Sequence, residues 1–340
     1  MNVPRRVVHV VCTANFAGVE RYVSYTAPVL ARRGWDVTVV GGESTRMRAA
    51  LGGVRFVPAE SVSAALTALL RFDRSTIVHA HMTAAETAAT AAHVVRRFPV
   101  VVTRHFAARR GSSGFGRLAA PVIRSAVSQQ ISISDFVAAA IGEPSVTIRN
   151  GVPSAEAPPH RDGRTVLMTQ RLEQEKHTED ALRAWARSTL PADGWQLVIA
   201  GDGGERAYLF AFAHHLGVSE TAHFAGARND VDELMTQASL FVATAPAEPF
   251  GLSVVEAMAN GLPVIGARGG GHLETIGAVS KQWLYEPGDH VQLATMLQAL
   301  ANNRGERDRY GDALQKHQRL ELSLDAHVAN LEVEYEKVRA

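Results

Sequence analysis

Two glutamates eight positions apart, Glu248 and Glu256 in "AEPFGLSVVEAMANGLPVIG", are the first residues whose types and spacing suggest chemistry. Paired carboxylates often work as acid and base across one scissile bond. The residues between them point elsewhere. Pro249 disfavours helical geometry at Glu248 and so leaves it in a loop. From Gly251 the pattern turns helical, with Leu252, Val255 and Ala259 spaced to pack on a sheet, and Gly261 closes the helix. Gly251 to Glu256 is then about 7–8 Å along the axis at ~1.5 Å per residue, comparable to a diphosphate bridge. A helix start with Gly251 and small Ser253 offers backbone N–H groups to an anion. The two carboxylates either bracket one extended phosphorylated ligand or face solvent on a structural helix.

Other candidates follow strand-like runs. "QRLEQEKH" places Arg171 and Lys176 five apart after "TVLMT". An Arg fork with a Lys point charge suits a diphosphate, although solvated charges in a helix-entry loop read the same way. "GDGGER" puts Gly201 and two more glycines at a strand-to-helix turn, without the last glycine of a dinucleotide fingerprint. "GARGGGHLETI" supplies another glycine run, either a ligand approach or a mobile turn. Near the start, Gly18 opens a helix in "TANFAGVERYV", and "VVVTRH" ends at His105, which could meet a substrate hydroxyl or be merely solvated. No metal constellation is read: "HAH" (79–81) and "AHHLG" (213–217) lack zinc partners in sequence.

The elements that must position these residues are legible as alternation. Thirteen short β-branched runs, from "VVHVVC" to "QWLYEP", are separated by helix-length segments. Near-continuous apolar strands between helices indicate parallel sheets covered on both faces. The alternation breaks at "PSAEAPPHRDG", a linker by composition. The expected organisation is two Rossmann-like doubly wound α/β domains facing across a cleft: residues 1–153, a linker over 154–163, and 164–322. The helix of 323–340 carries an apolar face (Leu324, Val328, Leu331, Tyr335, Val338) suited to packing back on the first domain. Ligands of such sheets lie beyond the carboxyl ends of the strands.

Composition sets further limits. Of 340 residues 46% are hydrophobic and 20% charged, enough for two cores. No apolar run approaches the ~20 residues of a membrane span, and no signal peptide is evident, so a cytoplasmic location is expected. The one cysteine, Cys12, excludes an intrachain disulfide and is expected to be a buried core thiol. Residues 1–150 carry 18 Arg against 8 acidic residues, a net of +10, and the remainder is −9. The stretch from Thr87 to Ser134 has seven arginines and no acid. This Arg-rich region (96–124) suits anionic lipid headgroups at the inner membrane face or a phosphorylated acceptor, or is a solvated loop. Nucleic acid is disfavoured for want of a recognised module.

Taken together, "FAGVERYV", "NGV", "RLEQEKH", "LVIAGDGGER", "HFAGARNDVDELM" and "EPFGLSVVEAMANGLPVIGARGGGHLETI" resemble a retaining GT-B glycosyltransferase of family 4, also called glycosyl transferases group 1. The resemblance covers essentially the whole chain. It implies that Glu248 contacts donor-sugar hydroxyls and Glu256 the ribose of a nucleotide-diphosphate sugar such as a UDP- or GDP-sugar. Arg171, Lys176 and the N–H groups of Leu252 and Ser253 would neutralise the diphosphate. Arg228 lies where the backbone reads the base, His105 matches a histidine near the transferring sugar, and Gly18 a glycine loop over the phosphates. The family has a second glycine where Ala17 stands, and glycines where Gln170 and His177 stand. Front-face transfer with retention, no metal or other cofactor, and a glycan, glycolipid or small-molecule acceptor are the implied chemistry. A catalytically degenerate binding subunit, a dinucleotide-dependent oxidoreductase, and a GT-B epimerase or phosphorylase are the competing readings.

Overall fold

The computed structural model describes residues 5–110, 114–155 and 163–339, with the side chains of 114–119 outside that description. Most of the linker expected over 154–163 therefore lies outside the described residues, as do the side chains of Phe115, Arg117 and Leu118. The chain forms two compact units, Met1–Val152 joined by Leu324–Ala340, and Pro153–Ser323.

The first unit is built on a seven-stranded parallel sheet. Its strands are β1 (Arg6–Val11), β2 (Asp36–Gly41), β3 (Arg55–Val57), β4 (Ile77–His81), β5 (Val100–Arg104), β6 (Gln129–Ser132) and β7 (Val146–Thr147). Their order is β3-β2-β1-β4-β5-β6-β7, so β1 and β4 lie side by side at the reversal of chain direction. Ligands of doubly wound sheets bind beyond the strand ends at such a switch point. The apolar residues of the central strands are Val, Ile and Ala with almost no exposure, as expected for strands covered on both faces.

The second unit holds a six-stranded parallel sheet, again with one direction reversal. Its strands are β8 (Thr165–Thr169), β9 (Gln196–Ala200), β10 (Ala222–Gly226), β11 (Leu240–Ala243), β12 (Val264–Ala267) and β13 (Leu284–Tyr285). The order β10-β9-β8-β11-β12-β13 places the ends of β8 and β11 together. All thirteen β-branched runs of the sequence are strands.

The helix Leu324–Arg339 returns to the first unit. Val328, Leu331 and Tyr335 are fully buried there, at roughly 1.5–3 kcal/mol each for an apolar side chain. Glu332 accepts from Trp35 Nε1 (2.9 Å) and Arg33 Nε (2.7 Å), which fixes the register of the helix on the unit. Cys12 is only partly buried, and burial pushes its thiol up to about 11, which leaves it protonated and unreactive at neutral pH.

Candidate functional site

In the second unit the expected residues converge at the carboxyl ends of β8, β9 and β11. Glu248 lies in the loop after β11, and Lys176 in a short 3-10 turn, Gln174–Lys176, after β8. Lys176 Nζ donates to Glu248 Oε2 at 2.6 Å, a partly buried pair joining positions 72 residues apart. Arg171 does not join it; its side chain is exposed and donates to Glu175 at 2.7 Å. The departures from the family pattern have local explanations. His177 keeps the left-handed backbone of a glycine (φ 50°), while Ala17 is extended and needs none. The Gln170 side chain donates to Thr178 Oγ1 (2.9 Å) and Thr244 Oγ1 (3.2 Å), tying the ends of β8 and β11 together.

The helix after Glu248 is Leu252–Ala259, with Gly251 at its N-cap in a left-handed conformation (φ 90°). Without a capping side chain, the first N–H groups, including those of Leu252 and Ser253, point forward off the helix. Gly261 N–H donates to Met258 O and Leu262 N–H to Ala257 O, the paired bonds that end a helix at a left-handed glycine. Glu256 is buried rather than facing solvent.

The glycine run 269–271 serves the Glu248 loop directly. A Cβ at Gly269 would lie 2.0 Å from Pro246 O, and one at Gly270 2.3 Å from Glu248 O. Gly271 N–H donates to Glu248 O at 2.7 Å. These glycines are thus the seat on which the 246–250 loop rests, not a mobile turn. Gly201 plays a similar part, since a Cβ there would meet Gln170 O at 1.8 Å. The exposed Arg228 side chain turns to Asp230, with Nε donating at 2.7 Å.

The first unit holds the other expected residues. Gly18 opens the helix Gly18–Arg32, whose start is braced by Glu20 accepting from Ala17 N–H (2.9 Å) and Thr13 Oγ1 (2.7 Å). His105 is not a solvated loop histidine. It is buried, and its Nε2 lies 3.0 Å from His81 Nδ1. His81 Nε2 in turn lies 3.0 Å from His9 Nδ1. His79 sits between Tyr335 OH (2.6 Å) and Thr103 Oγ1 (2.7 Å), and His327 between Tyr22 OH (3.0 Å) and Arg149 O (2.8 Å). Burial, with the neighbouring imidazoles, holds His9 and His105 down to about 3 and His79 and His81 well below 6.5; burial alone takes His327 to about 4. All five are neutral at pH 7.

This cluster corrects the reading that "HAH" lacks partners. Residues two apart in a strand share a face, so His79 and His81 point the same way. The register pairs His9 with His79 and His81 with Thr103, which brings β1 and β5 residues onto that face. Ring nitrogens of His9, His79 and His81 lie within 4.8 Å of one another. Both nitrogens of His79 and both of His81 are engaged in hydrogen bonds, so a metal ion would have to displace these to be held there.

The arginine-rich stretch is also altered by folding. Arg110 reaches Glu86 (2.8 Å) and Glu143, Arg124 reaches Glu143 (2.8 Å), and Arg104 lies beside both carboxylates. Arg110 and Glu86 side chains are each only 2% exposed. Three of the seven arginines in the acid-free window from 87 to 134 are thus met by two carboxylates outside it. No helix among the described residues is long and apolar enough to cross a membrane.

Two family models match the chain in succession: Glycosyltransferase Family 4 over residues 16–156, and Glycosyl transferases group 1 over residues 154–317. N-acetyl-alpha-D-glucosaminyl L-malate synthase of Bacillus anthracis is 32% identical over 140 residues, 39% of this chain and 36% of that protein. The match therefore spans about a third of that relative's length. Among solved structures, HepE of Anabaena in complex with UDP-glucose superposes with a TM-score of 0.84 at 18% identity, over 98% of this chain and 99% of that one. Sucrose-phosphate synthase of Thermosynechococcus elongatus gives 0.76 at 17% identity, over 98% and 99%. At these identities the structural likeness is one of fold, and the two consecutive family models carry the assignment: the chain belongs to the GT-B glycosyltransferases of the family 4 type.

Proposed function

We propose that the protein transfers a hexose-type sugar from a nucleotide-diphosphate sugar to an acceptor hydroxyl with retention of anomeric configuration. The observation that carries this reading is the meeting of Lys176 and Glu248 beside the uncapped helix start at Leu252. A sugar C1–O bond that breaks toward a diphosphate leaves growing negative charge, which a fixed ammonium and oriented N–H groups stabilise. Lys176, Arg171 and the N–H groups of Leu252 and Ser253 receive that charge, and Gly18 is assigned to the phosphates as well. Glu248 holds sugar hydroxyls, buried Glu256 the ribose hydroxyls, His105 the transferring sugar, and the backbone at Gly201 and Arg228 the nucleoside side. The acceptor oxygen attacks C1 on the face the diphosphate leaves, and its proton passes to the departing phosphate oxygen. No step requires a metal, and Glu248 need not be a nucleophile. The first unit holds the acceptor, a glycan, glycolipid or small molecule.

HepE's complex with UDP-glucose supports a UDP-sugar as the first donor to test. The decisive experiment is a transfer assay with UDP-, GDP- and ADP-sugars, the product anomer read by NMR. Transfer with retention is expected; an inverted product overturns the mechanism. Glu256→Ala is expected to weaken donor binding at least ~10-fold with little change in folding, and unchanged affinity refutes its ribose role. Donor binding without transfer or hydrolysis would favour a binding subunit instead.

A further inference from the structure

The His9–His81–His105 chain runs from the buried interior of the first sheet to the carboxyl end of β5. His9 and His81 rings are parallel within 3° with centroids 5.3 Å apart, so their 3.0 Å N···N line runs nearly from ring centre to ring centre. The chain continues through the 3.0 Å contact of His81 with His105. At the inner end, His9 Nε2 is fully buried and has no hydrogen-bond partner. At the outer end His105 retains slight exposure, and no described residue bonds its Nδ1.

Neutral imidazoles in such a chain have one proton each and only two consistent orders. If His105 donates inward from Nε2, each link donates inward, and His9 ends with an N–H buried against nothing. If the donors point outward, His9 Nδ1–H donates to His81, His81 Nδ1–H donates to His105 Nε2, and His9 buries only a bare lone pair. Orphaned buried N–H donors are rarer in proteins than under-satisfied acceptors. The outward order leaves His105 with its proton on Nδ1, facing away from the chain.

We infer that His9 and His81 are positioning residues that fix His105 as the neutral Nδ1–H tautomer, so that it presents a hydrogen-bond donor to an oxygen of the bound sugar substrate. A nitrogen's proton is set by what the other nitrogen bonds, and here the bonding partner is itself set one residue deeper. Because the inner end is sealed, the chain sets a tautomer without conducting a proton to solvent. Tyr22 rings the assembly, edge-on to His81, His105 and His327 at 5.0–5.5 Å, and Tyr335 closes the His79 side. The sugar contact rests on the glycosyltransferase reading above; the tautomer does not.

The test is two-bond ¹H–¹⁵N NMR of the histidine-labelled full chain at pH 7 without ligand, in wild type, His9→Gln and His9→Glu. His105 is expected as Nδ1–H in wild type and in His9→Gln, whose amide can still donate to His81. The His9→Glu carboxylate only accepts, so His81 must donate inward from Nε2, and His105 is expected to shift to Nε2–H. A His105 that is Nε2–H or cationic in wild type, or one unmoved in His9→Glu, overturns the inference. A merely structural His9 would lower thermal stability without moving the tautomer. Transfer kinetics with the best of UDP-, GDP- and ADP-glucose supply the second readout. His9→Glu is expected to lose about 10-fold in kcat/KM, with His9→Gln within about 3-fold of wild type. The predicted tautomer shift with unchanged kinetics supports the chain and refutes the sugar contact of His105.

Discussion

At the carboxyl ends of its strands the first unit gathers imidazoles, whereas the second gathers one ammonium–carboxylate pair on a bed of glycines. The two sheets share the same parallel, once-reversed build, so the difference lies in what the loops and neighbouring strands bring to the ends. In the second unit the Glu248 loop is set by backbone approach. Removing Cβ atoms at 269–271 lets one loop sit on another, and the carboxylate of Glu248 is placed by that contact. In the first unit position is set by side chain on side chain, several layers deep, and the whole assembly must stay uncharged. One design is sensitive to volume and the other to protons.

Acid is the largest expected way to break the comparison. The five clustered histidines have folded-state pKa values below the ordinary 6.5, so between that value and the folded ones the unfolded chain binds more protons. Stability is therefore lost as pH falls, at about 1.4 kcal/mol per histidine per pH unit. Several such groups in one core exceed the ~5–15 kcal/mol stability of a typical domain within two or three units. The second unit contains one comparably buried lowered histidine, His272, among its described residues. Hydrogen exchange at pH 7 and pH 4.5 should show the first unit opening in acid while the second stays protected. Simultaneous opening would abolish the distinction.

Volume is the complementary probe. Gly270→Ala puts a Cβ into the Glu248 carbonyl at a left-handed φ of 50°, so the loop must move. A stability loss of about 1–3 kcal/mol is expected, with donor affinity falling more than thermal stability alone explains. Calorimetry and isothermal titration together check this; a loss of stability with full donor affinity would detach the glycine seat from the site. The smallest effect concerns the basic half. Because Arg104, Arg110 and Arg124 are spent on Glu86 and Glu143, sedimentation with anionic and neutral vesicles should differ by less than about 3-fold at physiological salt. A strong preference for anionic vesicles would restore a membrane-facing role.

These contrasts also mark where sequence pattern stops. The strands were legible because β-branched runs between helices have few other solutions, and Gly261 and Pro249 fixed the ends of the Glu256 helix. Strand order is not written in periodicity. Lys176 meets Glu248 only because β8 lies beside β11, and His9 meets His81 only because β1 lies beside β4. The "HAH" spacing did carry a signal, since alternate residues of a strand share a face, as do Thr103 and His105. The arginine run shows a related limit. Charge counted along a window omits Glu86 and Glu143, which stand just beyond its ends and fold across it.

The helix Leu324–Arg339 gives the first unit a history as well as a shape. Its Tyr335 and His327 bond His79 and Tyr22, yet they follow the entire second unit in sequence. During synthesis the second unit, one continuous segment, can finish folding before the first has its last wall. Until that helix emerges, the histidine core lies open to water on one side, and its imidazoles are free to take up protons. The histidine core is thus closed by a segment made only after the whole second unit, and the order of synthesis, not only the pH, bears on when its histidines become neutral.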